Sequence, residues 1–103
     1  MPSDSGFFVG QIGAQIRLDT KDDASLLAAA TLTQIWYKRP ETGVTGAWTA
    51  TVDGTELIYT TLTIDDLPVA GEWKIQVYVE APGYKVPGKV VSMVVNEPVK
   101  DIS

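Results

Sequence analysis

The run Glu72-Trp73-Lys74-Ile75-Gln76-Val77-Tyr78-Val79-Glu80 alternates without a break. Trp73, Ile75, Val77 and Val79 share one side, and the polar residues with Tyr78 share the other. Successive side chains of an extended chain leave the backbone on opposite sides, so this pattern predicts a β-strand with one face in a core and one in water. The residues before it, Asp65-Asp66-Leu67-Pro68-Val69-Ala70-Gly71, read as a corner, and Ala81 to Gly88, with two prolines and two glycines, reads as a turn.

The same period of two recurs on both sides of this strand. Lys89 to Val95 places Val91, Met93 and Val95 on one face and Val90 and Val94 on the other. Upstream, Ile12, Ala14, Ile16 and Leu18 alternate with Gly13, Gln15 and Arg17. In Leu32 to Lys38, Thr33, Ile35 and Tyr37 oppose Gln34, Trp36 and Lys38. Ala47 to Val52 carries Trp48, Ala50 and Val52 on one side. Asp53-Gly54 is a hairpin signal leading to a strand over Leu57 to Ile64. Leu26 to Ala30 is too short for a stable helix and reads as a loop that tucks Leu26 or Leu27 under the strands. Phe7 to Val9 offers a seventh strand.

Short strands separated by turn signals at regular intervals predict an all-β protein: an immunoglobulin-like antiparallel β-sandwich of about seven strands. The expected core is Ile16, Leu18, Ile35, Tyr37, Trp48, Trp73, Ile75, Val77, Val79 and Met93. One domain is expected over residues 1–97, with a flexible tail over 98–103.

Composition narrows the function. The 103 residues include no cysteine and no histidine. That excludes disulfides, thiolate metal sites and thiol nucleophiles, and it removes the commonest general base. Eight basic residues against 13 acidic ones leave a net charge of −5. Phosphate-binding surfaces need the opposite balance, so neither nucleic acid nor an anionic membrane is an expected partner. No stretch approaches the roughly 20 apolar residues of a membrane span. The first residues lack the basic start and apolar run of a secretory signal.

The candidate acids Asp19, Asp22, Asp23, Asp53, Asp65, Asp66 and Glu80 fall mostly in turns, where aspartate is favoured for backbone reasons. The adjacent pairs Asp22-Asp23 and Asp65-Asp66 lack a calcium-loop pattern. No glycine-rich phosphate loop follows a strand and opens a helix. The expectation is a protein that is not an enzyme and carries no cofactor and no metal.

Two aromatics stand out. Trp36 shares its face with Gln34 and Lys38, and Tyr78 lies between Gln76 and Glu80. Both should therefore point outward. In an immunoglobulin-like sandwich their strands and the last strand are neighbours in one sheet. Trp36, Tyr78, Val90 and Val94 are then expected to form one exposed apolar patch, the kind of surface that marks a protein interface.

Asp66 to Ile75 is similar to the approach to strand F of an immunoglobulin-like domain, with Trp73 and Ile75 where antibody domains carry a tyrosine and a cysteine. Four segments, Val9 to Thr20, Tyr37 to Gly43, Trp48-Thr49-Ala50 and Leu67 to Gln76, together resemble a group of small phage and prophage structural proteins. They also resemble the immunoglobulin-like N-terminal domain of phage baseplate upper proteins. The shared features are an opening strand with Ile12-Gly13, a Lys38-Arg39-Pro40 strand end, Trp48 after a glycine-rich loop, and a Leu67-Pro68-x-x-Gly71-x-Trp73 corner. The resemblance implies a virion component of the tail, baseplate or head, assembled in the bacterial host cytoplasm. Its partners would be other phage structural proteins or further copies of itself, and no catalytic residue comes with it.

Two other classes stand beside this reading. A carbohydrate-binding module would stack a sugar on Trp36 or Tyr84. A small hydrolase or isomerase would need a deep pocket with paired carboxylates.

Overall fold

The computed structural model describes residues 7–21, 24–40 and 42–99. The chain runs through β1 (Phe7–Phe8), β2 (Gln15–Asp19), α1 (Ala24–Ala28), β3 (Leu32–Lys38), β4 (Thr45–Thr49), β5 (Thr51–Asp53), β6 (Glu56–Thr60), β7 (Gly71–Ala81) and β8 (Tyr84–Asn96). A five-stranded sheet has the order β1-β8-β7-β3-β4 and a three-stranded sheet the order β2-β6-β5. In the immunoglobulin scheme β2, β6 and β5 take the places of strands B, E and D. β3, β7 and β8 take those of C, F and G. The fold is therefore the expected sandwich. One pairing departs from a wholly antiparallel arrangement: Phe7 and Phe8 run parallel to Val95 and Asn96, which makes the larger sheet mixed.

Alternation explains the core. Trp73, Ile75, Val77 and Val79 of β7 are all buried, as are Ile35, Ile16, Leu18, Trp48 and Met93. Tyr37, the tenth residue of the expected core, is half-buried and packs against the others. Trp48 ties the two sheets together. Its ring lies 4.5 Å from that of Tyr37, 6.2 Å from that of Trp73 and, across the sandwich, 5.0 Å from that of Tyr59 with the planes 1° apart. Gly46 stands directly opposite Tyr37 in the sheet, and a Cβ there would collide with the tyrosine ring. The glycine before Trp48 is thus part of the aromatic packing.

The corner before β7 is held by side chains. The Trp73 indole N–H donates to the Val69 carbonyl at 3.0 Å. This is the backbone bond that the corner tyrosine makes in antibody domains. One Asp66 carboxylate oxygen accepts from the Tyr59 hydroxyl at 2.9 Å and from the amides of Leu62 at 2.7 Å and Thr63 at 3.2 Å. Gly71 has φ 131°, and a Cβ there would come within 2.8 Å of Pro40. The proline ending β3 and the glycine ending the corner therefore fit against one another.

Several local expectations change. The strand expected from Ile12 starts at Gln15. Gly10 and Gly13 adopt positive φ where the chain crosses from one sheet to the other, leaving Ile12 57% exposed. The segment Ala47 to Val52 is two strands in different sheets. Ala50 sits at the switch, its N–H donating to the Thr33 carbonyl and its own carbonyl accepting from the Thr33 hydroxyl. Val52 faces the core side but lies at the rim and stays exposed. The strand from Leu57 ends at Thr60; the Thr61 amide still donates to the Ala14 carbonyl, and the Asp66 carboxylate then captures the amides of Leu62 and Thr63. Leu62 and Ile64 consequently point to solvent, at 70% and 51% exposure.

Residues Ala24–Ala28 form a single helical turn rather than a loop, and Leu27 is the residue it buries. The expected turn of Ala81 to Gly88 shrinks to Pro82-Gly83. Pro87 and Gly88 lie inside β8, where the pairing with β7 shifts register between Gln76 and Tyr78. A proline is tolerated at such a bulge because the ladder is already interrupted. Asp22, Asp23 and residues 100–103 of the expected tail lie outside the described residues.

Candidate functional site

The register of the larger sheet arranges its outer face in rows. Trp36 lies opposite Gln76 and Ala47, and Gln76 lies opposite Val90. One row therefore reads Val90, Gln76, Trp36, Ala47. The next reads Ser92, Lys74, Lys38, Thr45 by the same pairings. On the far side, Tyr78 lies opposite Gln34, which lies opposite Thr49.

Trp36 and Tyr78 meet on the diagonal between adjacent strands. Their ring centroids are 4.2 Å apart and their planes 19° apart, a close stack of the two aromatic faces. Each ring ties down its polar atom locally. The Trp36 indole N–H donates to Gln34 Oε1 at 3.0 Å, and the Tyr78 hydroxyl donates to Glu80 Oε2 at 2.6 Å. The hydrogen bond to Glu80, then desolvation and the carboxylate charge, hold the Tyr78 pKa above that of a free phenol. Both rings are half-buried, so part of each remains open to solvent.

Beside the pair runs a groove of about 640 Å³ lined by β3, β4, β7 and β8. One side is Trp36, Gln76 and Val90; the other is Lys38 and Lys74. At the β4 end only Thr45, Gly46 and Ala47 close it. Lys74 Nζ donates to Ser92 Oγ at 2.9 Å and lies 3.6 Å from a Glu72 carboxylate oxygen. A hydrogen bond from Ser92, then the charge of Lys74, lowers the Glu72 pKa. Lys38 pairs with no carboxylate among the described residues. The groove thus has an aromatic wall and a cationic wall; Lys38 and Lys74 are register partners, with the Lys74 amino group turned to Ser92 on the other side of β7.

Of the four expected patch residues, the structure brings together Trp36, Tyr78 and Val90. Val94 stands apart. It lies opposite Glu72, four residues along β8 from Val90, which is roughly 13 Å at the strand rise. The row holding Lys74 and Ser92 separates them. Val94 instead borders a cleft of about 300 Å³ between the sheets, with Phe7, Ile16 and Val91. Val90 and Val94 lie in one unbroken stretch of the β7–β8 register, so it is their distance along the strand that separates them. The lysine wall escaped the sequence reading. Lys38 was legible as a face neighbour of Trp36, but its position opposite Lys74 depends on strand pairing.

Most of the described candidate acids hold local contacts. Asp19 accepts from the Lys21 amide at 2.8 Å, which with the Lys21 charge depresses its pKa. Asp53 and Glu56 pair with Arg17. Asp66 caps the corner, and Glu80 holds Tyr78. Among the described residues no cluster of three His, Cys, Asp or Glu side chains could hold a metal ion. Tyr84 packs against the core. Comparison with protein-family models, with curated proteins and with solved structures finds no match.

Proposed function

We propose that this is a non-catalytic docking module, a virion component of tail, baseplate or head that binds other structural proteins of the particle. It docks through the outer face of the five-stranded sheet. The observation that supports this reading is the Trp36–Tyr78 stack beside an open groove. Tryptophan and tyrosine dominate the energetics of protein interfaces because they bury large area at low conformational cost. Here the polar atom of each ring already has a partner. Covering the pair with another protein would therefore remove apolar surface from water without stranding a donor. The particle setting comes from the sequence resemblance alone. Other phage structural proteins, or further copies of the chain, are the proposed partners, in the virion and in the host cytoplasm during assembly.

The test is light scattering across a concentration series for wild type and Trp36→Ala, alone and with candidate particle proteins. Assembly that Trp36→Ala abolishes is the expected result. Assembly that ignores the substitution removes the outer face from the mechanism. Sugar-dependent quenching of tryptophan fluorescence, lost in Trp36→Ala, would move the assignment to the carbohydrate-binding alternative.

A further inference from the structure

We propose that a partner strand adds to the free edge of β4. The segment recognised there carries a carboxylate two residues from a bulky apolar side chain. This rests on the reading that the outer face docks proteins, and it names the chemistry of what docks.

Among the described residues β4 is paired on one side only, to β3. Open sheet edges invite strand addition, and proteins normally guard them with charges, proline or bulges. The other open edges here are guarded or short. The free flank of β8 carries Lys85, Pro87 and Lys89 with a register shift, and β1 covers its end at Val95 and Asn96. β2 carries Arg17 and Asp19. β5 has three residues. By contrast, β4 is Thr45-Gly46-Ala47-Trp48-Thr49 in unbroken register with β3. It has no charge and no proline.

The rows of the outer face specify the ligand. A strand laid on β4 places alternate side chains on the outer face, in line with Thr45, Ala47 and Thr49. A side chain beside Ala47 falls in the row of Trp36, with only a methyl group between them. A side chain beside Thr45 falls in the row of Lys38 and Lys74, again with only a small residue between. Two strand spacings amount to about 9.5 Å, within reach of two side chains extended toward each other. The first position suits a bulky apolar residue that covers Trp36. The second suits a carboxylate, which would pair with Lys38. Lys38 has no carboxylate partner among the described residues, whereas Lys74 already lies 3.6 Å from a Glu72 carboxylate oxygen. Backbone pairing would supply affinity and the two pockets specificity.

The probe is an acetylated, amidated peptide, Thr-Glu-Thr-Leu-Thr-Glu-Thr. It has the acid-x-apolar spacing in both directions and so covers parallel and antiparallel addition. The control has lysine in place of both glutamates. Binding is measured by calorimetry at low salt, and its location by amide hydrogen exchange. The glutamate peptide is expected to bind about tenfold or more tighter than the control, a difference of about 1.4 kcal/mol. It should slow exchange across Thr45–Thr49. The double substitution Lys38→Glu and Lys74→Glu, checked for an unchanged thermal transition, should invert the preference. Equal binding of the two peptides, no binding at millimolar concentration, or protection away from β4 would each overturn the proposal. If the peptides fail while assembly of the full chain still depends on Trp36, face docking stands and strand addition falls. If neither holds, both readings fall.

Discussion

Trp73 and Trp36 belong to adjacent strands of one sheet and point to its opposite faces. Trp73 has no exposed surface, bonds the Val69 carbonyl and packs with Tyr37 and Trp48. Trp36 stacks on Tyr78 and bonds only its near neighbour Gln34. The first ring is enclosed by both sheets and by a corner built around it. The second has one aromatic companion and an open groove. Nothing in the residue type separates the two roles; the face of the sheet does. An inward tryptophan is held by everything that folds the sandwich, whereas an outward one keeps part of its surface open to solvent.

The comparison is strained most by truncating both rings. Trp73→Ala is expected to cost about 3–5 kcal/mol, the range for emptying a large aromatic site in a core. Trp36→Ala should cost only about 1 kcal/mol, mostly the lost stacking. Denaturant unfolding of the two variants measures the difference, and equal losses would mean that the outer pair is structural. Next comes the corner that supports the inward cluster. Asp66→Ala deprives the Tyr59 hydroxyl and two amides of one charged acceptor, and about 2 kcal/mol should be lost. The same unfolding experiment checks it, with assembly through Trp36 unaffected wherever the variant remains folded.

A smaller effect depends on pH. Burial, then the hydrogen bond to Asp66, pushes the Tyr59 pKa up to about 12, against about 10 for an unfolded tyrosine. The folded state therefore holds this proton more tightly. The stabilisation is complete below about pH 10 and is lost as pH rises toward 12. Tyr59→Phe should flatten that part of the stability profile. Tyr78 shifts in the same direction through its bond to Glu80, so Tyr78→Phe is the matching control for the outer pair.

The smallest effect belongs to the opposite outer face. There Arg17 lies 2.9 Å from Glu56 and 3.3 Å from Asp53, all exposed. Arg17→Ala should change stability by no more than about 0.5 kcal/mol, the usual scale of exposed ion pairs. Docking should be unchanged. A larger effect on assembly would place the interface on the wrong sheet.

Much of this comparison was legible in the residues. The bounds of β3 and the face assignments of β3 and β7 follow from strict alternation, and with them the core around Trp73 and the outward direction of Trp36 and Tyr78. The errors cluster where the chain passes between sheets. Ile12 continues the alternation of Ala14, Ile16 and Leu18, but the bend through Gly10 and Gly13 takes it out of the strand. In Leu57 to Ile64 apolar residues fall on both faces, so alternation leaves the inward face undecided, and Leu62 and Ile64 lie past the end of β6. Ala47 to Val52 keeps one alternation while changing sheets, because inward residues of both sheets face the same core.

By itself the sequence determined that the chain is all-β, which residues alternate in and out, and that cysteine and histidine chemistry is absent. Alternation and composition are local properties, readable without knowing what lies across the sheet. The tertiary structure alone decided that Val90 shares a row with Trp36, that Lys38 pairs with Lys74 in the register, and that β4 is an edge among the described strands. Each of those depends on strand order and register, which arise from pairing between residues far apart in the chain and shift wherever a bulge inserts a residue.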